Sequence, residues 1–285
     1  MASWEHGWVL DGRPLIDVHL HPARLDRLKL SWDMWVQDFD SPELRALYDG
    51  DAIDRDRFDA LLESEGVDVA VVLAEYSPKV TGIQAAEDMA ALANERIRFA
   101  ANVNPHLHFP VDEEVARQLD LGAAALKVHP VHGGFPANSR ALYPAYALCQ
   151  ERGVPLVVHC GTSTFPGAEN QWADPTYLDD VLRDFRTLDV VLAHGGRGWW
   201  YDAAAVLALS NPRVWIELSG LPPSRLKTYY ARHNWPRLTR RMIFGTDWPG
   251  IPGIAKNARA VAALMPDDAT TDAVLAGNAQ QISRL

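Results

Sequence analysis

Eight short apolar runs, separated by amphipathic stretches, constrain the fold of this chain more than any other feature of its sequence. They cover residues 15–19, 67–74, 97–103, 123–129, 154–160, 189–194, 214–219 and 242–247. Several are apolar almost throughout, Val69-Ala70-Val71-Val72-Leu73 being the clearest, as suits strands covered on both faces. Strand-like runs alternating with helical stretches predict a parallel sheet wrapped by helices. Eight of them within 285 residues predict a single α/β domain over residues 1–285, a closed (β/α)8 TIM barrel whose functional groups gather at the C-terminal ends of the strands. An open doubly wound sheet would need a Gly-rich phosphate turn after its first strand, and His19-Leu20-His21-Pro22-Ala23-Arg24-Leu25 is not one.

The stretches between the runs carry helix punctuation. Asp54 is an N-cap candidate with Gly66 as the stop, Thr81 caps a predicted helix over 83–95, and Ser139 precedes one over 142–152 that Gly153 ends. Asp174 followed by Pro175 is a further start signal. Residues 267–285 read as one or two short helices packed on the barrel.

A polar group that could bind a metal falls at or near the end of five of the runs: His19 and His21 after the first, Lys127 in the fourth, His159 in the fifth, His194 in the sixth and Asp247 in the eighth. On a strand His19 and His21 share one face, so neighbouring parallel strands would bring all six groups to one end of the sheet. That is what a divalent cation held by imidazole and carboxylate requires. A His-x-His pair alone carries little weight, since roughly 0.3 are expected by chance from this composition. A second pair, His106 and His108, is bracketed by Pro105 and Pro110 and is read as surface or rim. The company of the first pair distinguishes it.

The formal charge of -10 and pI near 5.4 argue against nucleic-acid and anionic-membrane partners. Cys149 and Cys160 are too few for a disulfide scaffold, and Cys160 is expected to face the helices, opposite His159. No signal-peptide pattern opens the chain and no run approaches the length of a membrane span, so a cytoplasmic location is expected. A small-molecule substrate is the expected partner, and the sequence leaves room for a homo-oligomer.

Taken together, IDVHLHP, LKVHP, VVHCGT, LAHGG and FGTDWP resemble the amidohydrolase superfamily, in the amidohydrolase-related branch that holds aminocarboxymuconate-semialdehyde decarboxylase, aromatic acid decarboxylases and lactonases. The resemblance runs from Ile16 to the C-terminus. It implies that His19, His21 and Asp247 bind a metal, that His159 completes the site, and that His194 binds metal or assists catalysis. Some members carry a carboxylated lysine at the place of Lys127 that bridges two ions. The surroundings of Lys127 look more like the mononuclear branch, so one ion is favoured over two. His129, two residues on, is read as a metal or substrate contact at the rim, His132 is weighed below it, and His6 and His233 read as ordinary surface or packing residues.

Zinc suits the imidazole-rich set best, with manganese the alternative. A metal ion lowers the pKa of bound water toward neutrality, and Asp247 is placed to receive its proton. This predicts a metal-dependent hydrolase in which metal-bound hydroxide attacks an amide, ester or lactone of a small cyclic or aromatic acid, His194 helping to hold the oxyanion. The alternative is a non-oxidative decarboxylase using the same site, and the remote one a non-catalytic metal-binding barrel. Asp17 is a candidate to orient a histidine through its second nitrogen, or else a buried polar group. Arg197, after Gly195 and Gly196, could pair with a substrate carboxylate or be a solvated arginine. Glu217 cannot be placed. Trp32, Trp35, Trp172, Trp199, Trp200 and Trp248 all fall in predicted loops on the catalytic side, with Trp172, Trp199 and Trp248 taken as substrate contacts in an aromatic-walled pocket.

Overall fold

The computed structural model describes residues 12–29, 41–251 and 253–282. Trp32, Trp35, Phe39 and His6 lie outside them. Eight parallel strands form one sheet in sequence order: β1 (Ile16–Leu20), β2 (Val69–Leu73), β3 (Ile97–Asn102), β4 (Ala125–Val128), β5 (Leu156–Gly161), β6 (Val190–Arg197), β7 (Val214–Glu217) and β8 (Met242–Ile243). The curved sheet is nearly closed. Across the seam, β1 is joined to the segment after β8 by hydrogen bonds from Val18 N to Phe244 O, from Asp247 N to His19 O and from His21 N to Trp248 O. The last two bonds bring the Asp247 backbone against the His-x-His pair.

The apolar runs are strands because each buries both faces. Ala70, Val72 and Leu126 belong to the outer core with the helices, while Val71, Leu73, Ala100, Ala125, Val157, Val191, Trp215 and Ile243 fill the barrel interior. Helices α1 (Arg55–Ser64), α2 (Ala86–Leu92), α3 (Val111–Asp120), α4 (Tyr143–Arg152), α5 (Leu178–Asp184), α6 (Tyr201–Ser210), α7 (Trp235–Thr239) and α8 (Ile254–Ala262) fall between or after the strands. Asp54 caps α1 by accepting from Arg57 N, and Gly153 ends α4 in the left-handed conformation. Asp174 accepts from Thr176 N at the start of a short 3-10 turn. The C-terminal segment is helical from Asp268 to Gln281 and closes the interior with Ala276, Ala279 and Ile282.

Two expected caps differ. Ser139 makes no capping bond and precedes a 3-10 turn. Thr81 starts no helix: a hairpin pairs Glu75–Ser77 with Gly82–Gln84, α2 begins at Ala86, and the Thr81 hydroxyl bonds Glu75 Oε1 at 2.6 Å instead. Alternation also fails at the ends of β1 and β6. The register shifts between Asp17 and Leu20, and again between Ala193 and Arg197.

Candidate metal centre

Those irregularities build the site. Ala193 faces the barrel interior, so strict alternation would send His194 outward; a left-handed φ of 64° turns it in. Asp247 has a φ of 71° and is likewise re-aimed at the end of the last strand. Glycines make the room: a Cβ on Gly220 would collide with the Arg197 guanidinium and lie 3.1 Å from Asp247 Oδ2, and one on Gly245 would collide with the Glu217 carboxylate.

His19, His21 and Asp247 come together. His19 Nε2 lies 3.1 Å from His21 Nε2 and 3.5 Å from Asp247 Oδ1, and His21 Nε2 lies 3.3 Å from the same oxygen. Lys127 Nζ stands 3.4 Å from His19 Nε2, fully inside the barrel. Glu217, buried in the interior, accepts from His19 Nδ1 at 3.0 Å, from Ser219 N and Oγ, and from His194 N. A carboxylate on Nδ1–H fixes the His19 tautomer and leaves Nε2 as the lone-pair atom facing His21 and Asp247. Glu217 therefore has the orienting role for which Asp17 was a candidate, and Asp17 takes its other expected place as a buried polar group. It accepts from Thr246 N, Thr246 Oγ1 and His19 N, and burial pushes it up to about 7 against those hydrogen bonds.

His194 donates Nδ1–H to Ser219 O at 3.0 Å and stands 4.0 Å from Asp247 Oδ2. Burial, then Arg197 and His19, keep its ring well below the usual histidine range. Its remaining nitrogen, Nε2, is then an acceptor, which fits a ligand or base better than an oxyanion donor. His159 lies beside it, ring centroids 4.5 Å apart, outside the tight three-membered group. His159 Nε2 bonds Gly161 O at 2.9 Å, and Nδ1 is buried without a partner. Burial holds His19 and His159 down as neutral imidazoles. Burial alone would raise Asp247, but the His21 hydrogen bond and the cationic Arg197 guanidinium nearby hold it below the ordinary carboxylate range.

This donor set fits a divalent cation. Two imidazole nitrogens and a carboxylate oxygen converge within 3.5 Å of one another, and the orphaned His159 Nδ1 is a further unpaid polar group that a ligand would satisfy.

The group opens into a cavity of about 320 Å³. Among the described residues its wall includes His19, His21, Lys127, His159, His194 and Asp247 on the metal side, Arg197, and a second cluster of Glu75, His129, His132 and Ser163. Arg197 is half-buried, gives Nε and Nη2 to Thr162 O, and holds Nη1 3.9 Å from Asp247 Oδ2. None of the three tryptophans taken as substrate contacts is on this wall. Trp248 is 7% exposed and packs on Phe58 in the outer core, Trp199 is 72% exposed beside Trp200, and Trp172 bonds Glu169 and neighbours Tyr177. Phe165 is the cavity's aromatic side chain apart from the imidazoles, among the described residues. His106 and His108 lie off the cavity, and His233 pairs with Asp202.

Glu75 and Ser163 were not singled out by the sequence, and His132 was weighed below His129. His129 caps the turn Pro130–Gly133 by accepting from His132 N at Nδ1, so its Nε2 carries the proton and neither nitrogen is free for a metal. His132 is engaged at both nitrogens, 2.8 Å from Glu75 Oε1 and 2.8 Å from Ser163 Oγ. Burial would raise Glu75, but His129 and His132 outweigh it and hold the carboxyl well below its usual range.

A nearly closed eight-stranded parallel barrel with a histidine–carboxylate group at its C-terminal strand ends defines a TIM barrel with a candidate metal centre. The chain matches the amidohydrolase family over residues 16–285 and belongs to it. The family is one of metal-dependent enzymes. Among solved structures, an uncharacterised TIM-barrel protein from Bordetella bronchiseptica superposes with a TM-score of 0.74 at 20% identity, over 94% of this chain and 98% of that one. A dihydroxybenzoic acid decarboxylase from Polaromonas sp., with bound manganese and the inhibitor 2-nitroresorcinol, gives 0.64 at 16% identity over 95% and 96% of the two chains. A probable 2-pyrone-4,6-dicarboxylic acid hydrolase from Acinetobacter baumannii, with citric acid bound, gives 0.61 at 17% identity over 94% and 98%. No curated protein matches the chain in sequence. Among the described residues no helix is long and apolar enough to cross a membrane.

Proposed function

We propose that this chain is a metal-dependent hydrolase that opens an ester, lactone or amide bond of a small cyclic or aromatic carboxylic acid. The observation that carries the reading is the convergence of His19 Nε2, His21 Nε2 and Asp247 Oδ1 in one cavity with the Arg197 guanidinium. One divalent ion, zinc for preference, would be held by His19, His21 and Asp247 with His159 completing the set, and when bound it supplies Lewis acidity that polarises a carbonyl and acidifies water. Asp247, kept ionised by its donors, takes the proton of the attacking water and returns it to the leaving group. Arg197 pairs with the substrate carboxylate and fixes the scissile bond toward the metal side. The cavity volume lies at the small end of ligand sites and suits a single ring.

The second reading is non-oxidative decarboxylation, supported by the likeness to a manganese-bound dihydroxybenzoic acid decarboxylase. It needs a proton delivered to carbon. Ionised Asp247 is suited to take a proton from water, which supports hydrolysis. Incubating metal-loaded protein with lactones, amides and hydroxybenzoates, and following acid release against CO2 release, separates the two. Acid release that disappears in folded His19→Ala and Asp247→Ala variants is expected. Release of CO2 without any hydrolysis product would reverse the preference.

A further inference from the structure

The second cluster in the cavity is used by none of these steps, and its bonding has a definite direction. Glu75 Oε1 is 2.8 Å from His132 Nδ1 and is fixed from its other side by the Thr81 hydroxyl at 2.6 Å. A carboxylate at Nδ1 puts the ring proton there, so Nε2 carries the lone pair and accepts from Ser163 Oγ at 2.8 Å. The serine is held rigidly: Asn170 Oδ1 accepts from Ser163 N at 2.7 Å, and Asn170 Nδ2 donates to Ser163 O at 3.0 Å. Ser163, His132 and Glu75 come from three separate segments, are each 6% exposed, and all reach the wall of the cavity. The contrast with the metal side is chemical. There, ring nitrogens and a carboxylate oxygen crowd together in a way that a cation resolves, whereas here every polar atom of His132 already has a protein partner of the right sense.

We infer that Ser163, His132 and Glu75 form a second, metal-independent nucleophilic centre for activated esters of small acids. A hydroxyl bonded to an imidazole that a carboxylate orients is the arrangement that makes serine a nucleophile. Ser163 Oγ bonds to the acyl carbon as its proton passes to His132 Nε2. The bond to the leaving alkoxide breaks and that oxygen takes the proton from Nε2. Water then attacks the acyl-serine by the same route in reverse, releasing the acid and restoring Oγ–H. Glu75 remains a carboxylate throughout and acts as a positioning residue that steadies the transient imidazolium.

The test uses diisopropyl fluorophosphate, whose phosphorus accepts Oγ as fluoride leaves, on the full chain with metal and after chelation. Peptide mapping is expected to find one diisopropylphosphoryl group on Ser163 in both states and in His19→Ala, and none on that peptide in Ser163→Ala or His132→Gln. Labelling in Glu75→Gln should be slower by about tenfold or more, with part of the rate regained in Glu75→Asp. Hydrolysis of p-nitrophenyl acetate should survive chelation and be lost in Ser163→Ala. A folded wild-type protein that stays unlabelled at Ser163 overturns the inference. So does a second zinc per chain that is lost in Glu75→Gln, which would assign this cluster to an ion. Loss of metal-dependent turnover in His19→Ala with labelling intact bears on the hydrolase reading alone.

Discussion

His194 and Asp247 sit in left-handed backbone, a conformation that costs a non-glycine residue on the order of 1–3 kcal/mol and persists only where the surroundings impose it. Here those surroundings are the Asp247 N to His19 O bond across the seam and the bond of His194 Nδ1 to Ser219 O. Glu217 is the residue on which the proposed metal group most depends after His19, His21 and Asp247 themselves. Glu217→Gln replaces an acceptor of four hydrogen bonds by a group that must also donate, so metal affinity should fall by roughly 10–100-fold with the fold retained, as read by competition with a chromogenic chelator. Unchanged affinity would remove Glu217 from this role. Glu75 makes a separate prediction about acid stability. Its pKa is lower in the folded chain than its ordinary 4.5, so its stabilising contribution is complete above 4.5 and is lost as pH falls through the folded value. Chemical denaturation should find Glu75→Gln less stable than wild type near neutrality, the gap shrinking as pH falls below 4.5. A gap that is the same at low pH would contradict the assignment.

At the scale of elements, the strands deliver side chains to one end, and the departures from regular strand aim them. The eight apolar runs were legible because burial on both faces leaves a continuous signal, and the meeting of His19, His21 and Asp247 at their ends followed from it. The aim of His194 was not, because it depends on a φ of 64° that no periodicity reports. Glu217 could have been placed by parity with Trp215 once β7 was known to put Trp215 in the interior. The hairpin from Glu75 to Gln84 was read as the approach to a capped helix, since Thr81 carries the same hydroxyl whether it caps or bonds a carboxylate. Loop position says nothing about which way a large ring packs, and Trp248, expected at the substrate, lies in the outer core against Phe58. The C-terminal helical segment supports the seam: Asn278 Nδ2 donates to Met242 O at 2.7 Å and Val274 O accepts from Phe244 N. Asn278→Ala leaves a buried carbonyl unpaired and should cost about 1–3 kcal/mol, seen as a lowered Tm with metal content unchanged. A Tm equal to that of wild type would show that this bond does not hold the last strand.

For the whole molecule, the hydrophobic layers lie away from the strand ends. The outer core and the barrel interior are filled by side chains that take no part in the metal group, so fold and site are separable. Chelation should therefore lower Tm while leaving the far-ultraviolet circular dichroism spectrum unchanged, because an ion that binds only the native state adds to its stability without creating it. Collapse of the spectrum on chelation would instead make the ion a structural element. The central claim, that His19, His21 and Asp247 together hold one catalytic cation, is tested most directly by anomalous diffraction at the zinc edge from zinc-loaded crystals. The account predicts one peak per chain, bonded to both histidines and the carboxylate and absent in His19→Ala; zinc bound elsewhere, or no peak among those three side chains, would contradict it.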